Sequence, residues 1–235
     1  MNKQQIIVTG ASRGIGQAIT VELDRRGFTV AGLSRSGATS AGTGYACDMT
    51  DERAVKDAIA KVAANGPILG LVNSAGAHEG KPSASLSLAE FEATMRLNAS
   101  AVMVACREVY PHLKAGNDGL IVNIGSFFDR LAVKENLAYC ASKAAVGAIT
   151  RCLAAEWARD GIRVLDVAPG YIETDLNRDF LASERIQSWL KRRVPVGRAG
   201  SAHEVAHLVG ALYSENIAFL TGETIYIDGG QGINH

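Results

Sequence analysis

A tyrosine and a lysine stand four residues apart in the segment Tyr139-Cys140-Ala141-Ser142-Lys143. Residues at this spacing share one face of an α-helix, so the phenol and the ammonium would be neighbours. A free phenol has a pKa of about 10 and is a poor acid–base catalyst at neutral pH, but a nearby ammonium favours the phenolate and lowers that pKa. The pair therefore predicts a proton donor to a carbonyl oxygen, although the same spacing is common in surface pairs.

Two further polar residues could act with this pair. Ser126 follows the predicted strand Leu120–Ile124, where a hydroxyl can point into a ligand crevice, although it could equally be an ordinary loop serine. Asn98 interrupts the apolar helical segment Met95–Val104, where the alternative is a buried amide whose hydrogen bonds are satisfied. Both remain candidates for the same site.

A glycine-rich turn, Thr9–Gly16, lies between a predicted strand and a predicted helix. Gly10 permits a sharp turn, Gly14 lets the backbone approach a pyrophosphate, and Gly16 lets the helix pack closely on the strand. The turn therefore predicts a dinucleotide site. Its residues also spell the G-x-S-x-G of a serine hydrolase, but that motif belongs after a later strand, with Asp and His partners following it.

Short apolar runs alternate with longer helical stretches along the chain, which indicates a parallel sheet covered on both faces. We predict an α/β fold, in which 1–235 form a single domain with a Rossmann-type, doubly wound parallel sheet of about seven strands and helices on both faces. The predicted strands are Gln5–Thr9, Phe28–Leu33, Gly44–Cys47, Ile68–Asn73, Leu120–Ile124, Ile162–Val167 and Thr224–Ile227. The predicted helices are Ile15–Arg26, Asp51–Ala64 with Thr50 as N-cap, Leu88–Leu113, Ala138–Arg159 and Ala202–Tyr213.

The composition excludes several classes of protein. The 235 residues are 47% hydrophobic and 20% charged, with 24 basic and 24 acidic side chains, so we expect neither disorder nor binding to nucleic acid or a membrane. The four cysteines form no CxxC pair and the N-terminus does not resemble a signal peptide, which favours a reduced, cytoplasmic protein. His203-Glu204-Val205-Ala206-His207 matches HExxH, but no third ligand is evident and we expect no metal site.

In combination, these motifs resemble the short-chain dehydrogenase/reductase family over essentially the full length. The matching segments are the TGxxxGxG turn at Thr9–Gly16, Asn73-Ser74-Ala75-Gly76, the tetrad Asn98, Ser126, Tyr139 and Lys143, Pro169-Gly170 with Thr174, and the C-terminal Phe219–Gly222 and Asp228–Gly230. Ser74 replaces the second asparagine of the family's NNAG segment. The resemblance implies hydride transfer between a nicotinamide and a carbonyl carbon.

The resemblance also implies a role for each member of the tetrad. Tyr139 gives or takes the proton, and Lys143 lowers its pKa and holds the nicotinamide ribose. Ser126 hydrogen-bonds the substrate oxygen, and Asn98 orders a water that links Lys143 to solvent. Besides Tyr139 and Lys143, the residues expected at the cofactor are Gly10, Ser12, Arg13, Gly14, Ile15, Gly16, Ser34, Arg35, Asp48, Met49, Asn73, Ala75, Gly76, Pro169, Gly170, Ile172 and Thr174.

The end of the second strand carries no carboxylate that would accept the ribose hydroxyls of NAD. Arg13 and Arg35 could instead clamp a 2′-phosphate, with Ser12 and Ser34 as donors. We therefore expect NADPH rather than NADH, although both arginines could be ordinary surface residues. By resemblance, Asp48 hydrogen-bonds the adenine.

The substrate is less well determined. The segment after Pro169 resembles bacterial 3-oxoacyl-acyl-carrier-protein reductases, in which the position of Arg178 holds a basic residue for the carrier. The irregular segment 171–200, which we call the lid, is expected to cover the substrate, although it could instead be a pair of solvated surface helices. Phe127, Phe128 and Tyr171 form either an apolar substrate wall or core packing.

Two alternative functions stay open. The chain could be a dehydrogenase of a small cyclic, sugar or polyol alcohol, or, more remotely, a non-catalytic nucleotide-binding regulator. Family resemblance implies a homotetramer paired through the long helices and the last strand. The alanines Ala141, Ala144, Ala145 and Ala148 would permit close helix approach, or they pack on the chain's own sheet.

Overall fold

The computed structural model describes residues 4–175 and 177–234, apart from the side chain of Phe180. The predicted domain 1–235 and the lid 171–200 therefore include positions outside the described residues, namely 1–3, 176 and 235. The strands are β1 (Gln5–Thr9), β2 (Thr29–Ser34), β3 (Thr43–Ala46), β4 (Ile68–Asn73), β5 (Gly119–Ile124), β6 (Ile162–Pro169), β7 (Ile172–Glu173), β8 (Gly200–Ser201) and β9 (Thr224–Ile227). Among the described residues, seven of them pair in parallel in the order β3-β2-β1-β4-β5-β6-β9, which confirms the predicted fold class.

The helices are α1 (Gly14–Arg25), α2 (Glu52–Ala64), α3 (Leu88–Met95), α4 (Ala101–Gly116), α5 (Leu137–Trp157), α6 (Arg178–Ala182), α7 (Glu184–Arg193) and α8 (Ala202–Ser214). None of the described helices is long and apolar enough to cross a membrane. The predicted helical region Leu88–Leu113 is helical throughout, and a π-helical turn at Arg96–Ser100 separates α3 from α4 within it.

The predicted N-cap of α2, Thr50, is wrong by one residue. Asp51, not Thr50, caps the helix, and its carboxylate accepts hydrogen bonds from the backbone amides of Arg53 and Ala54. Thr and Asp are both favoured at the N-cap, so only the backbone conformation decides whether Thr50 or Asp51 caps the helix. At Asp51 the backbone is extended, as an N-cap requires.

Apolar side chains alternate between the two faces of the sheet. Ile7 joins the core that α2, α4 and α5 cover, while Ile6 and Val8 join the core that α1 and α8 cover. This double burial explains why the central strands read as continuous apolar runs. The loops that follow β1, β4, β5 and β6 consequently meet at one edge of the sheet, where ligands bind in such folds.

Candidate active site

Tyr139 lies in the first turn of α5, half-buried against aromatic neighbours. Its ring makes edge-on contacts with His78, at 4.7 Å between ring centres, and with Phe128, at 5.8 Å. Burial raises the pKa of Tyr139, and a hydrogen bond with Ser126 opposes that rise. The phenol is therefore protonated at neutral pH, which is the form that can donate a proton.

Lys143 lies one turn further along the same helix and is buried. Its Nζ donates a hydrogen bond to the carbonyl of Ile124 at 2.7 Å and stands 5.6 Å from the Tyr139 ring centre. Burial lowers the pKa of Lys143 to about 8. Burial is the largest influence on the pKa of Tyr139 in this structure, and the lowering of that pKa by Lys143 stays a prediction.

Ser126 follows β5 and begins a short 3₁₀ turn, Phe127–Asp129. Its Oγ accepts a hydrogen bond from the backbone amide of Phe128 at 3.2 Å, and it also bonds with Tyr139. The hydroxyl is thereby held at the mouth of the site. Two neighbouring hydroxyls can both donate to one oxygen, so Ser126 and Tyr139 are suited to bind a carbonyl or alkoxide oxygen.

Asn98 occupies the π-helical turn and is 1% exposed. Its Oδ1 accepts from the Ala77 amide at 2.9 Å, and its Nδ2 donates to the Ala77 carbonyl at 2.9 Å and to Ser142 Oγ at 3.1 Å. The side chain thus ties the loop after β4 to α5, as a satisfied buried amide does. Its ordering of a water beside Lys143 stays a prediction.

The glycine turn after β1 packs directly on the loop after β4. A Cβ added at Gly10 would lie 2.9 Å from the Ala75 backbone, and one at Gly16 would lie 2.3 Å from the Gly10 carbonyl. Thr9 Oγ1 accepts hydrogen bonds from the amides of Ser74 and Ala75, each at 3.0 Å. Larger residues at these glycines would therefore separate two loops that must stay in contact.

The start of α1 has the features of an anion site. No side chain caps this helix and its first turn carries no acidic residue. Gly14 has φ +58, and the nearest atom to a Cβ there would be Thr174 Cγ2 at 3.6 Å. Because backbone amides at a helix start attract phosphates, the open turn fits the pyrophosphate of a dinucleotide, with Ser12, Ile15 and Thr174 around it.

The end of β2 brings together the residues expected at the adenosine. Arg13 and Arg35 are exposed. Asp48 accepts hydrogen bonds from the Thr50 amide and hydroxyl at 2.9 and 2.8 Å, and these bonds, assisted by the Arg35 charge, lower its pKa. Ser34 is buried and donates its hydroxyl to the Ala38 carbonyl at 2.8 Å, so it is not a free donor in this structure.

Of the remaining predicted cofactor residues, some lie beside the site and others pack in the core behind it. Gly76 lies beside the lysine, since a Cβ there would be 3.9 Å from Lys143 Nζ. Asn73 instead donates within the core to Asn123 Oδ1 at 2.9 Å. The others are placed along the same edge: Met49 is buried after β3, Ala75 follows β4, and Pro169, Gly170 and Ile172 follow or end β6 and begin β7.

Two residues near the site were missed by sequence reasoning. His78 contacts the Tyr139 ring, and its only sequence signal is that it follows Gly76 by two positions. Asp166 is completely buried in β6, and its signal was a carboxylate inside the apolar run Ile162–Val167.

The lid contains α6 and α7 and its own small buried cluster, Leu181, Leu190 and Val194. Tyr171 contacts Trp189 of the lid at 5.2 Å between ring centres and Phe127 at 5.4 Å. Aromatic rings therefore continue from the lid to the catalytic tyrosine.

Arg178 lies at the start of α6. It pairs with Asp175 at 2.7 Å and with Glu173 at 3.4 Å. The charge predicted for a carrier protein is thus already balanced within the lid.

The HExxH segment has a structural explanation. Glu204 forms a capping box with Ser201 at the start of α8 and pairs with Arg198 at 2.8 Å. Hydrogen bonds from Arg198 and the Ser201 amide hold the pKa of Glu204 at about 2. No group of ligating side chains suited to a metal ion occurs among residues 4–175 and 177–234.

Comparisons with known proteins agree with this geometry. A family model described as enoyl-(acyl carrier protein) reductase matches residues 10–231. D-threitol dehydrogenase of Mycolicibacterium smegmatis is 34% identical over 240 residues, covering 97% of this chain and 92% of that protein. The 3-oxoacyl-[acyl-carrier-protein] reductase of Escherichia coli is 34% identical over 234 residues, covering 95% of each chain.

A solved structure shows the same architecture. Gluconate 5-dehydrogenase from Burkholderia cenocepacia, in complex with NADP and tartrate, superposes with a TM-score of 0.91 at 30% identity, covering 100% of this chain and 97% of that one. The match spans the glycine turn, the tyrosine–lysine helix and the lid together. The chain therefore belongs to the short-chain dehydrogenase/reductase family, and it is an oxidoreductase that acts on CH–OH groups.

Proposed function

We propose that this chain catalyses the NADPH-dependent reduction of a ketone to a secondary alcohol, with a 3-oxoacyl thioester or a related ketone as substrate. The observation that carries the proposal is the protonated Tyr139 beside Ser126, with buried Lys143 one helical turn away. When bound, the nicotinamide supplies the hydride that the carbonyl carbon receives.

The side chains have separate tasks in this reaction. Ser126 and Tyr139 hydrogen-bond the carbonyl oxygen, and Tyr139 donates its proton to that oxygen as the alkoxide develops. Lys143 holds the nicotinamide ribose. Its positive charge also stabilises the phenolate that Tyr139 becomes after it has donated its proton. Asn98 keeps the loop at Ala77 against α5, so that the lysine stays in place.

The phosphate-binding residues favour NADPH. Arg13 and Arg35 are exposed at the end of β2, where no carboxylate would repel a 2′-phosphate. Ser12 is exposed beside them, whereas Ser34 acts as an acceptor at most, because its hydrogen is engaged with Ala38. A structural relative was solved with NADP, which supports the same choice.

The aromatic wall formed by Phe127, Phe128, Tyr171 and Trp189 favours a substrate with an apolar portion. A sugar or polyol would find few hydrogen-bonding partners there. The second candidate, a dehydrogenase of small alcohols or polyols, is supported by the names of relatives such as D-threitol dehydrogenase. A carrier protein is a weaker expectation, because Arg178 is paired within the lid.

We also propose a homotetramer that works in the cytoplasm. Ala144 and Ala148 are exposed along α5, which leaves a flat face for a second copy, and Phe219 is fully exposed beside β9. Light scattering of the purified protein should give four times the chain mass, and a monomeric mass would contradict this.

The proposal is tested by the initial rate of NADPH oxidation with an acetoacetyl thioester. We expect NADPH to be preferred over NADH, and Tyr139→Phe to lower the rate by about 10²–10⁴-fold. Tyr110→Phe is the matched control, because Tyr110 bonds with Asp160 away from the site. NADPH binding with no turnover of thioesters, cyclic ketones or sugars would overturn the proposal and favour a non-catalytic nucleotide-binding protein.

A further inference from the structure

A row of polar side chains, three of them buried, crosses the sheet beneath α5. Asn73, Asn123, Asp166 and Thr224 are register partners on β4, β5, β6 and β9. Asn73 donates to Asn123 Oδ1 at 2.9 Å, Asn123 donates to Thr150 Oγ1 at 2.9 Å, and Thr224 donates to Asp166 Oδ2 at 3.4 Å. The two asparagines are thus satisfied, whereas Asp166 has a long contact from Thr224 and a hydrogen bond from the Gly125 backbone, and its Oδ1 has no partner among the described residues.

Asp166 is the exception in this row. It is 0% exposed, and its Oδ1 has no hydrogen-bond partner within the described part of the chain. Burying a carboxyl group without partners is costly, and an apolar residue would complete β6 without that cost. Its presence therefore points to a role other than stability.

The carboxyl group packs directly behind the backbone of the site. A Cβ added at Gly125 would lie 2.4 Å from Asp166 Oδ1, and one at Gly147 would lie 4.0 Å from Oδ2. Gly125 connects Ile124, whose carbonyl binds Lys143, to Ser126. Gly147 lies one helical turn after Lys143 on α5. The Asp166 carboxyl group therefore lies against both elements that carry site residues, the loop after β5 and α5.

We infer that Asp166 is a positioning residue, a buried negative charge behind the Ile124–Ser126 loop that keeps Lys143 protonated during the reaction. The inference rests on the proposed function, since it assigns Asp166 a task in that same site. No direct ion pair within 4.0 Å joins the two side chains among the described residues, so the effect acts through space and through the intervening loop.

The pKa values of Asp166 and Lys143 define the pH range in which Asp166 can stabilise the protonated lysine. Burial raises the pKa of Asp166 to about 7, opposed by Lys143, and burial lowers that of Lys143 to about 8, opposed by Asp166. The carboxyl group of Asp166 is therefore charged mainly above a pH of about 7. The other titratable or charged groups around the pair are Arg151 from α5, Asp129 from the turn after Ser126, Tyr226 from β9 and Tyr139 beside Lys143.

Asp166→Asn tests the inference because it keeps the size of the side chain and removes the charge. In the pH profile of kcat/KM for ketone reduction, we expect the basic limb to move to lower pH by about one unit. Well below the pKa of Asp166 the variant and the wild type should be equally active, since the wild-type carboxyl is then neutral. Asp160→Asn, which removes a carboxylate that pairs with Lys114 on the far side of α5, is the matched control and should leave the profile unchanged.

One further measurement and one further variant keep the result interpretable. The pH dependence of NADPH binding compares the same two proteins without turnover, and Asp166→Asn should weaken binding only in the basic range. If no ketone is reduced but this binding difference appears, the proposed function fails and the inference about Lys143 stands. If the asparagine variant does not fold, Asp166→Ser provides the same neutral comparison. Basic limbs and binding curves that coincide with those of the wild type would overturn the inference, as would a loss of equal size at every pH.

Discussion

The four residues proposed to act in catalysis, Asn98, Ser126, Tyr139 and Lys143, which we call the floor, are built into the fold in a different way from the lid. Every member of the floor is buried or half-buried. Asn98, Ser126 and Lys143 hydrogen-bond to backbone atoms, and Tyr139 hydrogen-bonds to Ser126. The lid has a small buried cluster of its own, and its ion pairs at Arg178 are exposed. Buried hydrogen bonds are therefore concentrated in the floor rather than in the lid.

This difference explains how one chemistry can serve different substrates. Buried hydrogen bonds fix the floor because breaking them leaves unsatisfied polar groups, whereas exposed pairs in the lid contribute little and are easily replaced. Relatives about one-third identical carry names with different substrates, a polyol in one case and a 3-oxoacyl group in another. Substitutions should therefore affect chemistry and stability in the floor, and substrate affinity in the lid.

The largest effect is expected for Asn98→Ala. The change would remove two partly buried hydrogen bonds to the Ala77 backbone and one to Ser142, which costs about 3 kcal/mol of unfolding free energy. The displaced loop should also lower kcat by about a hundredfold. Urea unfolding and steady-state rates measure the two effects.

Asn65→Ala is the control for that experiment. Asn65 also donates from its side chain, to the Lys61 carbonyl, but on the exposed end of α2. We expect a loss below about 1 kcal/mol and an unchanged kcat. Equal effects of the two substitutions would show that the floor is not specially fixed.

The second effect concerns the buried Glu22 of α1, which forms ion pairs with Arg25 and Arg26 at the end of the same helix. Glu22 is 1% exposed, and hydrogen bonds from Arg25 and Arg26 hold its pKa at about 2. Glu22→Gln should cost about 3 kcal/mol at neutral pH. Because the folded-state pKa lies below the unfolded value of about 4, this stabilisation is complete above the unfolded pKa and is lost as the pH falls towards 2.

Glu204→Gln is the matched control, since Glu204 has a similarly low pKa but its side chain is 43% exposed. Solvent screening should limit its loss to about 1 kcal/mol. Thermal unfolding across acid and neutral pH measures both variants. A loss at Glu22 that persists at the lowest pH would contradict the assigned origin.

The third effect lies in the lid. Leu190 is fully buried in the lid cluster, and Leu190→Ala should loosen the lid and raise KM for the ketone by about tenfold, with little change in the midpoint of global unfolding. Leu71→Ala, in the main core, should instead cost about 2–5 kcal/mol and leave KM unchanged. If Leu190→Ala destabilises the whole fold to the same extent, the lid is not an independent unit.

The smallest effect is expected for Arg178→Ala. Its pairs with Asp175 and Glu173 are exposed, so the unfolding free energy should change by less than about 1 kcal/mol. Rates with a small thioester and with the same acyl group on a carrier protein should change equally. A loss confined to the carrier-bound substrate would identify Arg178 as a carrier contact and contradict its assignment to the lid alone.

The strands and the glycine turn could be predicted because their signals are local. A buried parallel strand is a short apolar run, and the turn at Gly10–Gly16 needs glycines wherever backbones touch. The π-helical turn at Arg96–Ser100 could not be predicted, since it changes the hydrogen-bond pattern without changing the composition. The contact of His78 with Tyr139 depends on how two loops meet, for which the sequence contains no periodic signal.

By itself, the sequence determined which reactive groups this protein has and the order in which its strands and helices present them. The tertiary structure decided their electrostatic state. Burial raises the pKa of Tyr139 and lowers that of Lys143, an effect that their spacing on one helix does not reveal. The physical reason is that desolvation depends on every element packed around a group, including Asp166 from a distant strand, whereas spacing reports only on neighbours along one helix.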